Sequence, residues 1–155
     1  MDSCEYCDTQ IDYHEVIECI TCALDAKDPY TAGHSKRVSD MATKVCELIG
    51  LKKEDIQKIH IAAHLHDIGK IGVPDAVLNK EGKLTDEEWE YIRKHPQIGA
   101  DILSKSHHLS ELKNIVLCHH ERYDGHGYPT GYAGTEIPVG ARIIAICDSI
   151  DAMTS

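Results

Sequence analysis

The stretch DIQKIHIAAHLHDIGK, residues 55–70, places an apolar helical face directly before an adjacent histidine and aspartate. Ile56, Ile59 and Ala63 recur at helical spacing, and Gly69 then breaks the pattern. A histidine and an aspartate at a helix end can reach one metal site together. The two carboxylate oxygens of Asp67 can bridge two ions while His66 binds one of them. The stretch therefore predicts a helix that delivers metal ligands at its C-terminal end.

The rest of the chain reads as helices separated by short loops, without sustained strand alternation, so we predict an all-α protein. Helices are expected over 11–27, from an N-cap at Thr31 to a C-terminal glycine at Gly50, and after the capping box at Thr85. Others are expected from Pro96, over 109–118 and over 142–153, with a long Gly-rich and Pro-rich loop over 121–138. The organisation predicted is a flexible segment over 1–10 and one domain over 11–155.

Further ligand-type residues lie at helix ends or on apolar helix faces, where an unpartnered polar group is costly. They are His34, His95, His119, His120 and Asp148. Together with His66 and Asp67 they offer five imidazoles and two carboxylates, a donor set that suits borderline first-row metals. Each has a structural alternative, a hydrogen-bonded histidine or, for Asp148, an ion pair with Arg142. The remaining histidines are interpreted as surface or packing residues: His14, His60, His64, His107, His108 and His126.

Composition limits the function classes. The net charge of −10 argues against binding to a nucleic-acid polymer, which needs a basic footprint. No apolar run is long enough for a transmembrane helix and no signal-peptide layout is present, so we expect no membrane insertion and a cytoplasmic location. Cys4 and Cys7 with Cys19 and Cys22 form two C-x-x-C pairs that could hold zinc. The favoured interpretation treats Cys19 and Cys22 as small apolar residues of a helix.

Several motifs together resemble the HD-GYP group of HD-superfamily metal-dependent phosphohydrolases. They are DPYTAGHS at 28–35, HDIGK at 66–70, HHERYDGHGYP at 119–129, Ile137-Pro138, and DSIDAMTS at 148–155. The likeness covers nearly the whole chain from about Ile17. It implies an HD-domain helical bundle with a metal centre in its core, and hydrolysis of cyclic di-GMP to linear pGpG or GMP. Some members of the group act on cyclic GMP-AMP.

The resemblance also implies residue roles. The metal ligands would be His34, His66, Asp67, His95, His119, His120 and Asp148, holding two divalent ions. Iron or manganese is favoured, and zinc, nickel and cobalt are compatible. Asp67 and Lys70 would be the catalytic residues, with Lys70 contacting the scissile phosphate or protonating the leaving oxygen. Lys70 and the loop Gly127-Tyr128-Pro129 would contact the substrate. Asp124 is expected to form an Asp-Gly turn, with orientation of a ligand histidine as the alternative.

Two departures from the group's pattern affect these expectations. Members with a third metal carry a glutamate where this chain has Tyr30, so a two-metal centre is expected. The group's domain normally continues past Ser155, so we expect a C-terminally shortened form. The alternatives are hydrolysis of another nucleotide, an inactive metal-bound module that binds nucleotide or protein, and a metal-free helical interaction protein. A homodimer or a signalling-protein partner is compatible with the sequence.

Overall fold

The structure is a computed structural model that describes residues 12–155, and this part of the chain consists of helices and loops without a strand. The eight α-helices are α1 (Tyr13–Lys27), α2 (His34–Leu48), α3 (Lys53–Leu65), α4 (Asp75–Leu78), α5 (Asp86–Arg93), α6 (His95–Leu103), α7 (Lys113–Leu117) and α8 (Val139–Thr154). Short 3₁₀ turns lie at Pro29–Thr31, Ile68–Gly72, Ser110–Leu112 and Gly134–Glu136. The all-α prediction is confirmed. The predicted flexible segment 1–10 lies outside the described residues.

The main core forms where α2, α3, α7 and α8 meet, and α1 packs on α3 from outside. Val38, Ala63, Val116 and Ile144 are almost completely buried there. The 3₁₀ turn after α3 packs against α6, so the bundle brings the end of α3 to the start of α6. Within the described residues, none of the helices combines the length and apolarity required to cross a membrane.

Helix α2 begins later than predicted and ends as predicted. Thr31 is not the N-cap, because it lies inside a 3₁₀ turn and the cap position falls to Gly33, whose φ of 71° is left-handed. The buried face of the helix includes Ser35 and Ser39 beside Val38, and Leu48 at its end is 77% exposed. Gly50 closes the helix as predicted, with its N–H donating to Glu47 O and that of Leu51 donating to Cys46 O.

The capping box at Thr85 is present as predicted. Thr85 Oγ1 accepts from the Glu88 N–H, and Glu88 Oε2 accepts from the Thr85 N–H. Two backbone donors that the first turn of α5 would otherwise leave unpaired are thereby satisfied.

We expect Thr85→Ala to lower the free energy of unfolding by about 1 kcal/mol, because an alanine cannot accept the Glu88 N–H. Thermal unfolding of the metal-free protein would show a melting temperature about 2–4 °C lower. Thr85→Ser keeps the hydroxyl and serves as the control. An equal loss in both variants would contradict a role for the cap.

Candidate metal centre

Seven histidine and aspartate side chains form two neighbouring groups at the end of α3. The first group is His34, His66 and Asp148, and the second is Asp67, His95, His119 and His120. Within each group, one ligand-type atom per residue lies within 4.8 Å of the others. The fold therefore brings together all seven residues that the sequence analysis selected, from five separate places in the chain.

Asp67 lies between the two groups, with one carboxylate oxygen toward each. Its Oδ2 is 3.4 Å from His66 Nε2, while its Oδ1 is 3.3 Å from His95 Nε2 and 3.8 Å from His119 Nε2. This arrangement follows from the chain's path, because α3 ends at Leu65 and Asp67 precedes the 3₁₀ turn Ile68–Gly72. A carboxylate in this position can contribute one oxygen to each of two ions.

Main-chain carbonyl groups hold three of the imidazoles. His66 Nδ1 lies 2.6 Å from Ala63 O, His95 Nδ1 lies 2.6 Å from Ile92 O, and His119 Nδ1 lies 2.6 Å from Val116 O. A carbonyl oxygen only accepts, so each Nδ1 carries the proton and donates it. In the neutral form of these rings, the three Nε2 atoms present lone pairs toward Asp67, as in histidines that bind metals.

These lone pairs face one another without a donor between them. His95 Nε2 and His119 Nε2 are 3.3 Å apart, and His66 Nε2 is buried with no hydrogen-bond partner. Acceptors that converge in this way, beside the carboxylate of Asp67, are unfavourable unless a cation lies among them. The residues thus fit divalent ions, by donor type and by the unsatisfied lone pairs that they bring together.

His34 has acidic partners on both ring nitrogens. Its Nδ1 is 2.7 Å from Asp151 Oδ2 and its Nε2 is 2.9 Å from Asp148 Oδ1. The hydrogen bond with Asp148 is the main reason why the pKa of His34 rises to about 9, against the opposing effect of burial. In the metal-free protein a proton therefore balances the charge of Asp148. The predicted alternative partner of Asp148 is wrong, since Arg142 Nε donates to Ile137 O instead.

Sequence reasoning missed Asp151, which orients His34 and is itself held by Arg37. Arg37 Nε donates to Asp151 Oδ1 at 2.7 Å, and Arg37 Nη2 donates to Oδ2 at 3.0 Å. The paired hydrogen bond from Arg37 lowers the pKa of Asp151 to about 2, so this carboxylate stays charged. The available signal was its position three residues after Asp148, on the same face of an apolar helix.

Burial has opposite effects on the pKa values of the aspartate and of the histidines at the centre. Burial would raise the pKa of Asp67, but neighbouring groups, among them the charged Lys70, hold it well below the ordinary value. For His119 and His120, burial and the neighbouring histidines lower the pKa. An ionised aspartate and neutral imidazoles are the protonation states that metal binding requires.

Lys70 lies at the rim of the centre, between two carboxylates. Its Nζ is 3.0 Å from Asp67 Oδ2 and 3.4 Å from Asp28 Oδ2. Burial alone would lower the pKa of Lys70, but Asp67 and Asp28 raise it, so the ammonium group stays charged. Asp28, the first residue of the DPYTAGHS motif, is a second residue whose contact with the centre the sequence did not predict.

The loop after His120 contacts the centre through one aromatic ring. Tyr128 stacks on His120, with ring centroids 4.9 Å apart and planes inclined by 21°. Glu121 is buried and accepts from the Thr130 N–H at 2.7 Å, which ties the loop to the residue after His120. Gly127 passes so close to Arg122 N that a Cβ atom would overlap with it. The loop 127–129 thus borders the centre, whereas contact with a substrate stays a prediction.

The remaining predictions have different outcomes. Asp124 is exposed, pairs with Arg122 and accepts from the His126 N–H, so the turn interpretation of Asp124 is confirmed. Cys19 and Cys22 lie inside helix α1 as predicted, where both are exposed. Cys4 and Cys7 lie outside the described residues, so zinc binding by the four cysteines stays an untested alternative. Tyr30, at the position of the third-metal glutamate, is 77% exposed.

Comparison with known proteins agrees with the geometry. A family model described as "HD domain" matches residues 18–155. The cyclic di-GMP phosphodiesterase response regulator RpfG of Xanthomonas campestris is 43% identical over 143 residues, which are 91% of this chain and 38% of that protein. A cyclic di-GMP phosphodiesterase of Thermotoga maritima is 43% identical and aligns with 91% of this chain and 39% of its own length.

Two further similarities extend the comparison. The 3'3'-cGAMP-specific phosphodiesterase 3 of Vibrio cholerae is 41% identical, over 90% of this chain and 31% of that protein. The crystal structure of the HD domain of L. monocytogenes phosphodiesterase PgpH superposes with a TM-score of 0.62 at 22% identity, covering 87% of this chain and 73% of that one. This last likeness concerns the fold. The chain spans about two-fifths or less of the length of the curated relatives named here.

Proposed function

Because the chain belongs to the HD-domain family, in its HD-GYP group, we propose that it hydrolyses a phosphodiester bond of a cyclic dinucleotide, with cyclic di-GMP as the first candidate. One observation carries the proposal: unprotonated nitrogens and an ionised carboxylate oxygen face one another on both sides of Asp67. The names of the relatives support a cyclic dinucleotide as the substrate class. The products would be linear pGpG or GMP.

In the proposed centre, His34, His66 and Asp148 would hold one divalent ion, and His95, His119 and His120 would hold the other. Asp67, which lies between the two groups, would be a ligand of both. The ions would stabilise negative charge on the phosphoryl oxygens and lower the pKa of a water molecule enough for attack near neutral pH. The mixed imidazole and carboxylate donors favour iron or manganese, with zinc, nickel or cobalt also compatible.

The centre has a buried side and a more exposed side, and the side chains on each would have a different role. The side chains of His66, His95 and His119 are at most 2% exposed, so they form the buried side of the centre and exclude water there. Those of Asp148 and Lys70 are 21% and 20% exposed, so the substrate would approach on their side. The charged Lys70 would neutralise a phosphoryl oxygen or donate a proton to the departing ribose oxygen. Tyr128, fixed by its stacking on His120, would border the bound nucleotide.

Metal content and turnover measured on one sample test the proposal. The protein would be purified under reducing, oxygen-poor conditions, analysed for metals, and assayed with cyclic di-GMP, with 3'3'-cGAMP and with a mononucleotide. We expect two ions per chain and hydrolysis of a cyclic dinucleotide. Metal without turnover of any of these would indicate an inactive binding module. A metal-free protein that cannot be loaded would contradict the proposal.

A separate prediction concerns Lys70. We expect Lys70→Met to lower turnover by about 10²- to 10³-fold, because the methionine keeps the length of the side chain and removes the charge. Metal content should remain, since no ligand is changed. Lys83→Met, at an exposed lysine, is the matched control. Wild-type turnover in Lys70→Met would exclude this residue from the reaction.

A further inference from the structure

A second histidine cluster lies between α1 and α3 and shares no residue with the centre described above. It consists of His14 on α1 and of His60 and His64 on α3, with one ring nitrogen from each within 4.8 Å of the others. His60 and His64 are four residues apart, so they project from the same face of the helix. The sequence treats these three as separate surface or packing residues, whereas the fold brings them into one cluster.

His64 carries the observation that packing does not explain. Its residue is 1% exposed, and neither of its ring nitrogens has a hydrogen-bond partner. A buried imidazole without partners is unfavourable, because both nitrogens lose their bonds to water. His66, whose Nε2 has no partner either, shows the same signature at the centre next to Asp67.

Two hydroxyl groups hold Nδ1 of His60, so that its Nε2 faces His14. Its Nδ1 lies 2.9 Å from Ser39 Oγ and 2.8 Å from Thr43 Oγ1. Both hydroxyls also reach carbonyl oxygens, Ser39 that of His60 and Thr43 that of Ser39. In the arrangement that uses every contact, the hydroxyls donate to the carbonyls and accept from Nδ1–H. The Nε2 lone pair of His60 is then directed toward His14, oriented as in metal-binding histidines.

His14 completes the cluster and opens it to solvent. Its Nε2 is 3.1 Å from His60 Nε2, close to the separation of about 3.3 Å that two nitrogens have on a tetrahedral zinc ion with bonds of about 2.0–2.1 Å. The side chain of His14 is 41% exposed, so an ion and a water ligand can reach the cluster from its side. A hydrogen bond between His14 and His60 would account for those two residues and leave His64 unsatisfied.

We propose that His14, His60 and His64 form a second metal site, which binds a zinc ion through three imidazoles and leaves the remaining coordination to water. Three neutral nitrogen donors are a frequent zinc environment and suit this ion better than calcium or magnesium. The bound ion joins the N-terminal part of α1 to α3. It therefore stabilises the packing of the helix that ends next to Asp28, the partner of Lys70.

The test counts zinc ions in variants of the described chain. Wild-type protein, His14→Ala and His60→Ala would be stripped with a chelator, dialysed against buffered zinc, and analysed for zinc per chain. We expect each variant to bind one zinc ion fewer than wild type, with the other ions unaffected. His126→Ala removes an exposed histidine and is the matched control.

A second readout is thermal unfolding of the same proteins with and without zinc. We expect zinc to raise the melting temperature of wild type and His126→Ala more than that of His14→Ala, because an ion that binds the folded state stabilises it. Hydrolytic activity of His14→Ala, if the chain is active, should equal that of wild type. Equal zinc content in His14→Ala, His60→Ala and wild type would overturn the second site. That result would leave the centre at Asp67 unaffected.

Discussion

The variant Asp67→Asn is expected to lose turnover by about 10³-fold or more. An asparagine has the same shape, but it is neutral and offers one oxygen where the carboxylate offers two. The His66 side of the centre or the His95 side would therefore lose its shared ligand, and Lys70 would lose one of its two carboxylate partners. Loss of a single group that stabilises transition-state charge costs about 10²–10³ in rate, and Asp67 is expected to serve both ions.

The measurement combines elemental analysis with single-turnover kinetics on a cyclic dinucleotide. We expect Asp67→Asn to hold less metal than wild type under the same loading. Asp40→Asn, on the exposed face of α2, removes the same charge away from the centre and should behave as wild type. Full metal content together with full turnover in Asp67→Asn would exclude the bridging role.

The second large effect is expected from Gly69→Ala. A Cβ atom at Gly69 would overlap with His95 O and would also meet the backbone nitrogen of Gly99. The overlap is with main-chain atoms, so no side chain can rotate to relieve it. The 3₁₀ turn after Asp67 and the start of α6 would have to separate, although Asp67 directly precedes the turn and His95 begins α6. We expect a loss of about 3 kcal/mol in the free energy of unfolding, at the upper end of the range for overpacking.

In thermal unfolding of the metal-free protein, this loss corresponds to a melting temperature about 6–12 °C lower. Metal content after loading should fall as well, because His95 would move relative to Asp67. The control is Gly72→Ala in the same 3₁₀ turn, whose added Cβ would meet only side-chain atoms of Ile98, which can move. If both variants unfold at the same temperature, backbone contact at Gly69 does not determine stability.

The sequence predicts which residues come together at the centre, because several of them break a local rule. His66, His119 and Asp148 are polar residues on or beside apolar helical stretches, where burial without partners is costly. That conflict is visible along the chain, without knowledge of the fold. The capping box at Thr85 and the glycine at Gly50 were equally predictable, because each depends on residues only a few positions apart.

Features that depend on contacts across the fold escaped prediction. His14 and His60 are 46 positions apart, and only the packing of α1 on α3 brings them together. Asp28 and Lys70 are separated by 42 positions, so the role of Asp28 at the rim could not be derived from its own neighbourhood. Ser39 on the buried face of α2 is explained by its contact with His60, which a hydrophobic pattern does not contain.

The three carbonyl groups that orient His66, His95 and His119 have a consequence for how such sequences diverge. Every amino acid supplies a main-chain carbonyl, so replacing Ala63, Ile92 or Val116 by another helix-compatible residue leaves the acceptor in place. The orientation of these imidazoles therefore does not depend on which side chains these three residues carry. In alignments of distant homologues, the histidines, Asp67 and the tightly packed Gly69 should remain fixed. The residues that furnish the carbonyls should vary in side chain, within the limits that core packing sets for Ala63 and Val116.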